Sequence, residues 1–156
     1  MTQKLIIIGA GMATGRALEH LLDADGDFDV TLFNTEPRGN YNRIMLSPVL
    51  SGEKTYDEIV THTPEWYEEN GVTCRFGEKI TQIDRAAKTV TADNGDVLPY
   101  DKLLFGTGSN PFIIPLPGHD LEGVIAYRDL EDTQRMMGLG KGNKCVVIGG
   151  GLLGLE

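Results

Sequence analysis

The sequence is poor in cysteine, in histidine and in basic charge, and each shortage removes a class of function. Its 156 residues hold two cysteines, Cys74 and Cys145, with no CxxC spacing. That rules against a disulfide framework and a cysteine metal cluster, and it suits a reducing, cytoplasmic setting with both thiols as small buried apolar side chains. The three histidines, His20, His62 and His119, are isolated and read as surface residues, so no metal site is expected. Fourteen Lys and Arg stand against twenty-three Asp and Glu, a net charge of −9. A nucleic-acid partner, which needs clustered basic side chains, is therefore not expected. No apolar run approaches the roughly 20 residues of a membrane span. The N-terminus lacks the charged region and cleavage site of a signal peptide, and no membrane partner is expected. Trp66, the single tryptophan, sits beside Tyr67 and reads as core.

What the sequence does have is glycine, twenty residues of it, gathered at turns. Lys4-Leu-Ile-Ile-Ile8 is a continuous apolar run of the kind buried on both faces of a parallel sheet. Gly9-Ala-Gly11 follows, then Ala17, Leu18, Leu21 and Leu22 at helical spacing over 12–23, a polar turn over 23–27 and a second strand over 28–33. This βαβ unit is a dinucleotide-binding pattern. Gly9 permits the tight turn, Gly11 lets a pyrophosphate approach the backbone, and the helix N-terminus offers free N–H groups and partial positive charge. Glu36, after the second strand, is placed to accept hydrogen bonds from ribose hydroxyls; its plainer reading is a solvated loop acid. The third glycine of the fingerprint is replaced by Thr14, which is expected to push the helix outward, with Ala13 and Gly15 supplying the close packing instead.

A second, fuller fingerprint closes the chain. Residues 144–148 read as a strand, followed by Gly149, Gly151 and Gly154 in the dinucleotide spacing and the first turn of a helix. Between the two units, helical turns are expected at 44–50, 56–59 and 64–70, and four short strands at 72–76, 79–84, 88–93 and 97–100. Asn94-Gly95 is the hairpin signal among them. A further buried strand at 102–105, a proline-rich connector at 111–118 and a helix over 129–137 complete the reading. The expected fold is α/β: a Rossmann-like dinucleotide-binding domain with a parallel sheet and helices, a small antiparallel β-meander, and the start of a second Rossmann unit. The expected boundaries are 1–115, a connector and helix over 116–140, and 141–156.

From Glu36 to Ser47 the chain reads Glu-Pro-Arg-Gly-Asn-Tyr-Asn-Arg-Ile-Met-Leu-Ser, and here it resembles the FAD-dependent pyridine-nucleotide oxidoreductases of the glutathione reductase superfamily. The resemblance continues through Tyr100–Pro111, Tyr127–Asp132 and Gly149–Glu156. Within the superfamily, Tyr41–Ser47 is most similar to the N-terminal part of the NAD(P)H-dependent assimilatory nitrite reductase large subunit and to nitrate reductase electron-transfer subunits. The resemblance implies FAD at the first turn, held at its pyrophosphate by Gly9, Gly11 and Met12 and at its adenosine ribose by Glu36, with Ala13 and Pro37 also binding the cofactor. Arg43 and Ser47 would lie toward the flavin, Ile80 would meet adenine with its backbone, and Thr107 and Gly108 would form the turn near the cofactor, with Gly106 in place of the family's usual alanine. Arg128 matches an arginine near the flavin and reads equally as a helix-start charge. Gly149, Gly151 and Gly154 would begin the NAD(P)H site.

Thiol-using members of this superfamily carry redox cysteines just after the FAD loop, and residues 40–55 contain none. Disulfide reductase chemistry is thereby disfavoured, no catalytic side chain is nominated, and flavin alone would carry electrons. The lysine that often follows the Leu-Ser pair in ferredoxin-type relatives is replaced by Pro48. Electrons would pass from NAD(P)H through FAD to a downstream centre, in the remainder of a parent polypeptide or in a redox partner. Siroheme and an iron–sulfur cluster are implied only for a nitrite reductase parent and not for these residues. Two alternatives are a stand-alone ferredoxin- or rubredoxin-type reductase and a non-catalytic flavin-binding module. The chain by itself is expected to be about a third of a reductase module, to lack useful NADH oxidation, and to be prone to dimerise through its exposed C-terminal strand.

Overall fold

The computed structural model describes residues 2–24, 26–140 and 142–155, so Asp25 of the expected polar turn and Lys141 and Glu156 of the expected last segment lie outside it. The chain divides into two compact units, Met1–Asn42 with Val60–Ser109, and Arg43–Ile59 with Asn110–Glu156.

The first unit is built on a parallel sheet of order β3-β2-β1-β7, with β1 at Gln3–Ile8, β2 at Phe28–Asn34, β3 at Val72–Phe76 and β7 at Lys102–Phe105. The apolar run behaves as its composition dictates. Leu5 and Ile7 point to one face and Ile6 to the other, and all three are buried. On the first face Leu5, Ile7, Val30 and Leu32 pack with Leu18 of helix α1 (Met12–Asp23) and Tyr67 of helix α3 (Pro64–Glu69). Thr63 caps α3 by accepting from the Trp66 N–H, and Pro64 occupies its first turn, where no N–H is needed. On the second face Ile6 and Phe33 pack against Val90 and Ala92 of an antiparallel sheet, β4-β5-β6, formed by Ile80–Asp84, Thr89–Ala92 and Val97–Pro99. The expected hairpin is present: Gly95 takes φ +91 between β5 and β6.

Two expectations about this unit change. β3 reads as the first of four short strands of period two, yet it pairs parallel to β2, from Val30↔Val72 to Asn34↔Phe76, and not with the other three. A period of two marks a strand but not the sheet it joins. β7 was expected to be buried, yet it is a sheet edge, and Leu104 and Phe105 are exposed.

The second unit holds a 3-10 turn at Arg43–Met45, helix α2 (Leu46–Ser51), helix α4 (Leu130–Gly138) and the single turn α5 (Leu152–Leu155). α2 ends on Gly52 in the left-handed conformation, φ +81, and α4 starts on Asp129, whose side chain accepts from the Asp132 N–H. The expected strand at 144–148 does not form. Val146, Val147 and Ile148 are exposed, because an apolar strand without a neighbouring strand has no partners for its backbone groups. Cys145 in this stretch is exposed as well, and Cys74 is only half-buried, so neither thiol is the buried residue its scarcity suggested.

Candidate functional site

The C-terminal ends of the four parallel strands converge on the first glycine turn. Gly9 donates to the Phe33 carbonyl at 2.7 Å, and Gly106 donates to the Ile8 carbonyl at 2.8 Å, so β1, β2 and β7 end together. Gly77, just past β3, donates to the carbonyls of Asn34 and Glu36 at 2.8 and 3.1 Å. Gly9 takes φ +101, a conformation that strains any side chain, and a Cβ there would overlap the Gly106 carbonyl. The first glycine is thus required twice, by backbone conformation and by close packing.

Helix α1 leaves this turn with Gly11 as its N-cap, and no side chain caps it. A Cβ built on Gly11 meets nothing within 4 Å, so the approach to the helix N-terminus is open. Met12 and Ala13 are exposed at this end. Uncapped N–H groups, an open approach and the positive end of the helix dipole fit an anionic pyrophosphate.

Thr14 packs against the turn after β7. It is 2% exposed, and its hydroxyl fills the space that a methyl on residue 106 would take. Thr14 and Gly106 thus fit one another, the hydroxyl of one standing where a methyl on the other would. Gly15 packs toward a different neighbour, since a Cβ there would collide with Asn40 and touch His62. Ala13, expected to share in the close packing, is exposed.

The Glu36 loop is held by residues the sequence did not single out. The Asn34 amide accepts from Ala10 N–H at 3.3 Å and donates to the Arg38 carbonyl at 2.7 Å, tying the glycine turn to the loop. Tyr41 donates its phenolic hydrogen to Glu36 Oε2 at 2.9 Å, and Arg38 Nη1 lies 3.8 Å from the same oxygen. Pro37 lies beside Gly77, 3.8 Å from where a Cβ on that glycine would stand. The one legible signal for Asn34 is a polar residue closing β2 directly after Leu32 and Phe33.

His62 is not the surface residue its isolation in sequence suggests: it is 6% exposed. Its Nε2 meets Glu19 Oε1 at 2.9 Å and its Nδ1 meets Asn40 Nδ2 at 3.2 Å. In the neutral ring, donation from Nε2 to the carboxylate leaves Nδ1 as the acceptor for the amide. Hydrogen bonds from Arg16 and His62 hold Glu19 below its ordinary carboxylate value. Isolation in sequence therefore did not mean isolation in space.

Thr107 and Gly108 follow β7, both exposed, with Gly108 at φ +68 and the Thr107 backbone packed against Gly9. Ile80 is half-buried in the second core, as its periodicity predicts. In the second unit, Arg43 donates to the Arg128 carbonyl at 3.3 Å, Tyr127 donates to Ser47 Oγ at 3.5 Å, and the Arg128 N–H donates to Asp132 at 2.9 Å. At the second glycine turn, Gly149 takes φ +127, Gly154 donates to the Gly151 carbonyl at 3.0 Å, and a Cβ on Gly154 would overlap the Gly149 carbonyl. Its turn is formed although its strand is not. Among the described residues no cluster of three metal-ligating side chains occurs, and no helix is long and apolar enough to cross a membrane.

A family model described as pyridine nucleotide-disulphide oxidoreductase matches residues 3–156. The chain is 46% identical over 156 residues to the nitrite reductase [NAD(P)H] of Bacillus subtilis (strain 168), covering 99% of this chain and 19% of that protein. It is 44% identical to the assimilatory nitrate reductase electron transfer subunit of the same organism, covering 99% of this chain and 20% of that protein. Among solved structures, the NADH:rubredoxin oxidoreductase of Clostridium acetobutylicum superposes with a TM-score of 0.86 at 30% identity, over 99% of this chain and 40% of that one. The chain thus spans about a fifth of the length of these curated relatives.

Proposed function

The chain belongs to the pyridine nucleotide-disulphide oxidoreductase family, and from that premise we propose that it is the FAD-binding part of an NAD(P)H-dependent reductase of nitrite or nitrate assimilation. Electrons would run from NAD(P)H through FAD to a downstream centre. The observation that carries the reading is the first glycine turn: an uncapped helix N-terminus, open at Gly11, at the C-terminal rim of a parallel sheet. When bound, FAD supplies a group able to take a hydride and release electrons singly.

The chain's own residues bind and orient. Gly9, Gly11, Met12 and Ala13 would present backbone N–H groups to the pyrophosphate, and Glu36, beside Pro37, would accept from the adenosine ribose. Ile80, Thr107 and Gly108 would line the cofactor from the first unit. By the resemblance, Arg43, Ser47 and Arg128 would also bind the cofactor, and the Arg43 guanidinium would favour negative charge on the flavin. Gly149, Gly151 and Gly154 would receive NAD(P)H. The likeness to proteins named nitrite reductase and nitrate reductase electron transfer subunit supports the assimilatory role. The likeness to a rubredoxin oxidoreductase supports, as a second reading, a reductase serving a small redox partner. The exposed Val146, Val147 and Ile148 support homodimerisation or docking to the remainder of a longer polypeptide.

The test is direct. The purified chain is assayed for bound FAD, then mixed anaerobically with NADH. Bound flavin supports the reading, and flavin that bleaches supports a working donor site. Failure to bind FAD at micromolar concentration would overturn the assignment of Gly9, Gly11 and Glu36.

A further inference from the structure

We propose that Tyr41 is a positioning residue for the cofactor's adenosine ribose, its phenol fixing the direction from which the Glu36 carboxylate meets the ribose diol. The inference rests on reading Glu36 as the ribose acceptor. Glu36 sits on a loop after β2, and a free glutamate there would sample many rotamers. Accepting from two adjacent hydroxyls requires one of them. The Tyr41 hydroxyl donates to Glu36 Oε2 at 2.9 Å, a charge-assisted bond. A carboxylate offers about four acceptor sites, and this bond takes one of them, on the oxygen that Arg38 Nη1 approaches at 3.8 Å.

Tyr41 can act as a fixed post because its surroundings hold it. It is 3% exposed and forms a β-bridge with Val60. The preceding residue, Asn40, accepts at its carbonyl from the Thr61 N–H at 3.1 Å and the Thr61 hydroxyl at 3.0 Å. The Asn40 N–H donates to the Tyr67 hydroxyl at 3.1 Å, and Tyr67 lies in the first core. The position of the phenol is therefore inherited from the packed sheet and transmitted to Glu36. Losing that bond removes the phenol's hold on the carboxylate, leaves the Arg38 guanidinium 3.8 Å away, and keeps the charge.

A positioning role differs from a merely structural one in depending on the ribose hydroxyls. Binding of ADP and of 2′,3′-dideoxy-ADP to the full chain, measured by calorimetry, separates the two. The wild type is expected to prefer ADP, and Glu36→Ala to abolish the preference. Tyr41→Phe, which removes one oxygen, is expected to weaken ADP about fivefold, the scale of one hydrogen bond, and to leave dideoxy-ADP binding unchanged. Equal weakening of both ligands, or an undiminished preference for ADP, overturns the inference. Should Tyr41→Phe fail to fold, Glu36→Asp keeps the charge but withdraws it from the phenol, and it must then lose the preference; a preference kept overturns the inference. If Glu36→Ala abolishes the preference and Tyr41→Phe does not, only the role of Tyr41 falls. If the wild type shows no preference, the ribose reading of Glu36 falls and this inference with it.

Discussion

Thr14 and Gly106 interlock: the buried threonine hydroxyl stands where a methyl on residue 106 would be, so each residue type is explained by the other. That hydroxyl has no hydrogen-bond partner among the described residues, which makes its role steric. Gly106→Ala alone is expected to destabilise the chain by about 2 kcal/mol through overpacking. Thr14→Ala removes the colliding oxygen and leaves a 3.3 Å approach between methyl positions, so the double variant should recover most of the loss. Urea unfolding of the four proteins gives the coupling directly; additive losses would show that the two positions are independent.

Gly9→Ala should be more damaging than Gly11→Ala. At residue 9 the new methyl meets both a φ of +101 and the Gly106 carbonyl, whereas at residue 11 it meets open space. A stability loss of about 2–4 kcal/mol is expected at Gly9. At Gly11 stability should hold while FAD affinity falls, since the methyl enters the pyrophosphate's approach. Thermal melts and flavin titrations of the two variants separate these effects.

The His62–Glu19 pair gives a pH dependence of definite sign. Glu19 is held below its ordinary value near 4.5 by Arg16 and then His62. A carboxylate lowered by folding stabilises the fold above its unfolded value, and that contribution is lost as pH falls through the folded value. The Glu19→Gln profile is therefore expected to be flatter than wild type below about pH 4.5 and parallel to it above. His62→Ala should cost about 1–3 kcal/mol at neutral pH, because it strips a buried amide of its acceptor.

The two thiols should differ in reactivity. Burial pushes the Cys74 thiol up to about 11, while Cys145 is exposed. At pH 8 a thiol reagent is expected to modify Cys145 within minutes and Cys74 far more slowly, because little of it is thiolate. Prompt modification of both in the native chain would contradict this description of Cys74.

The elements were legible where one local rule dominates. The run Leu5–Ile7 has no polar residue to expose, so it had to be a strand covered on both faces, and Gly95 had to be a hairpin turn. What was not legible depended on partners distant in sequence. Val72–Phe76 alternates like a meander strand, and only β2 decides that it joins the parallel sheet. Thr14 looked like a defect until Gly106 was placed against it. His62 gave no sign of burial, because its acceptor and donor, Glu19 and Asn40, come from a helix and a loop far from it in the chain. For Val146–Ile148 the error was the reverse: the local signal for a strand is strong, and the neighbour that would make it one is absent among the described residues. Of the candidate site, the tight turn at Gly9 was readable from its glycine spacing; the bonds that Asn34 makes to Ala10 and Arg38, and Tyr41 to Glu36, were not, because each joins residues whose approach only the fold decides.

Asn34 touches both the glycine turn and the Glu36 loop, while Gly9 and Gly106 lace together three strand ends. A ligand seated on that rim would act as a buckle, fastening segments that the sequence spreads from residue 9 to residue 108. Occupancy and folding would then be one linked equilibrium, with about 2.7 kcal/mol of added stability at a hundredfold excess over Kd. Cofactor supply during synthesis would then add to intrinsic stability in setting how much of this protein a cell retains.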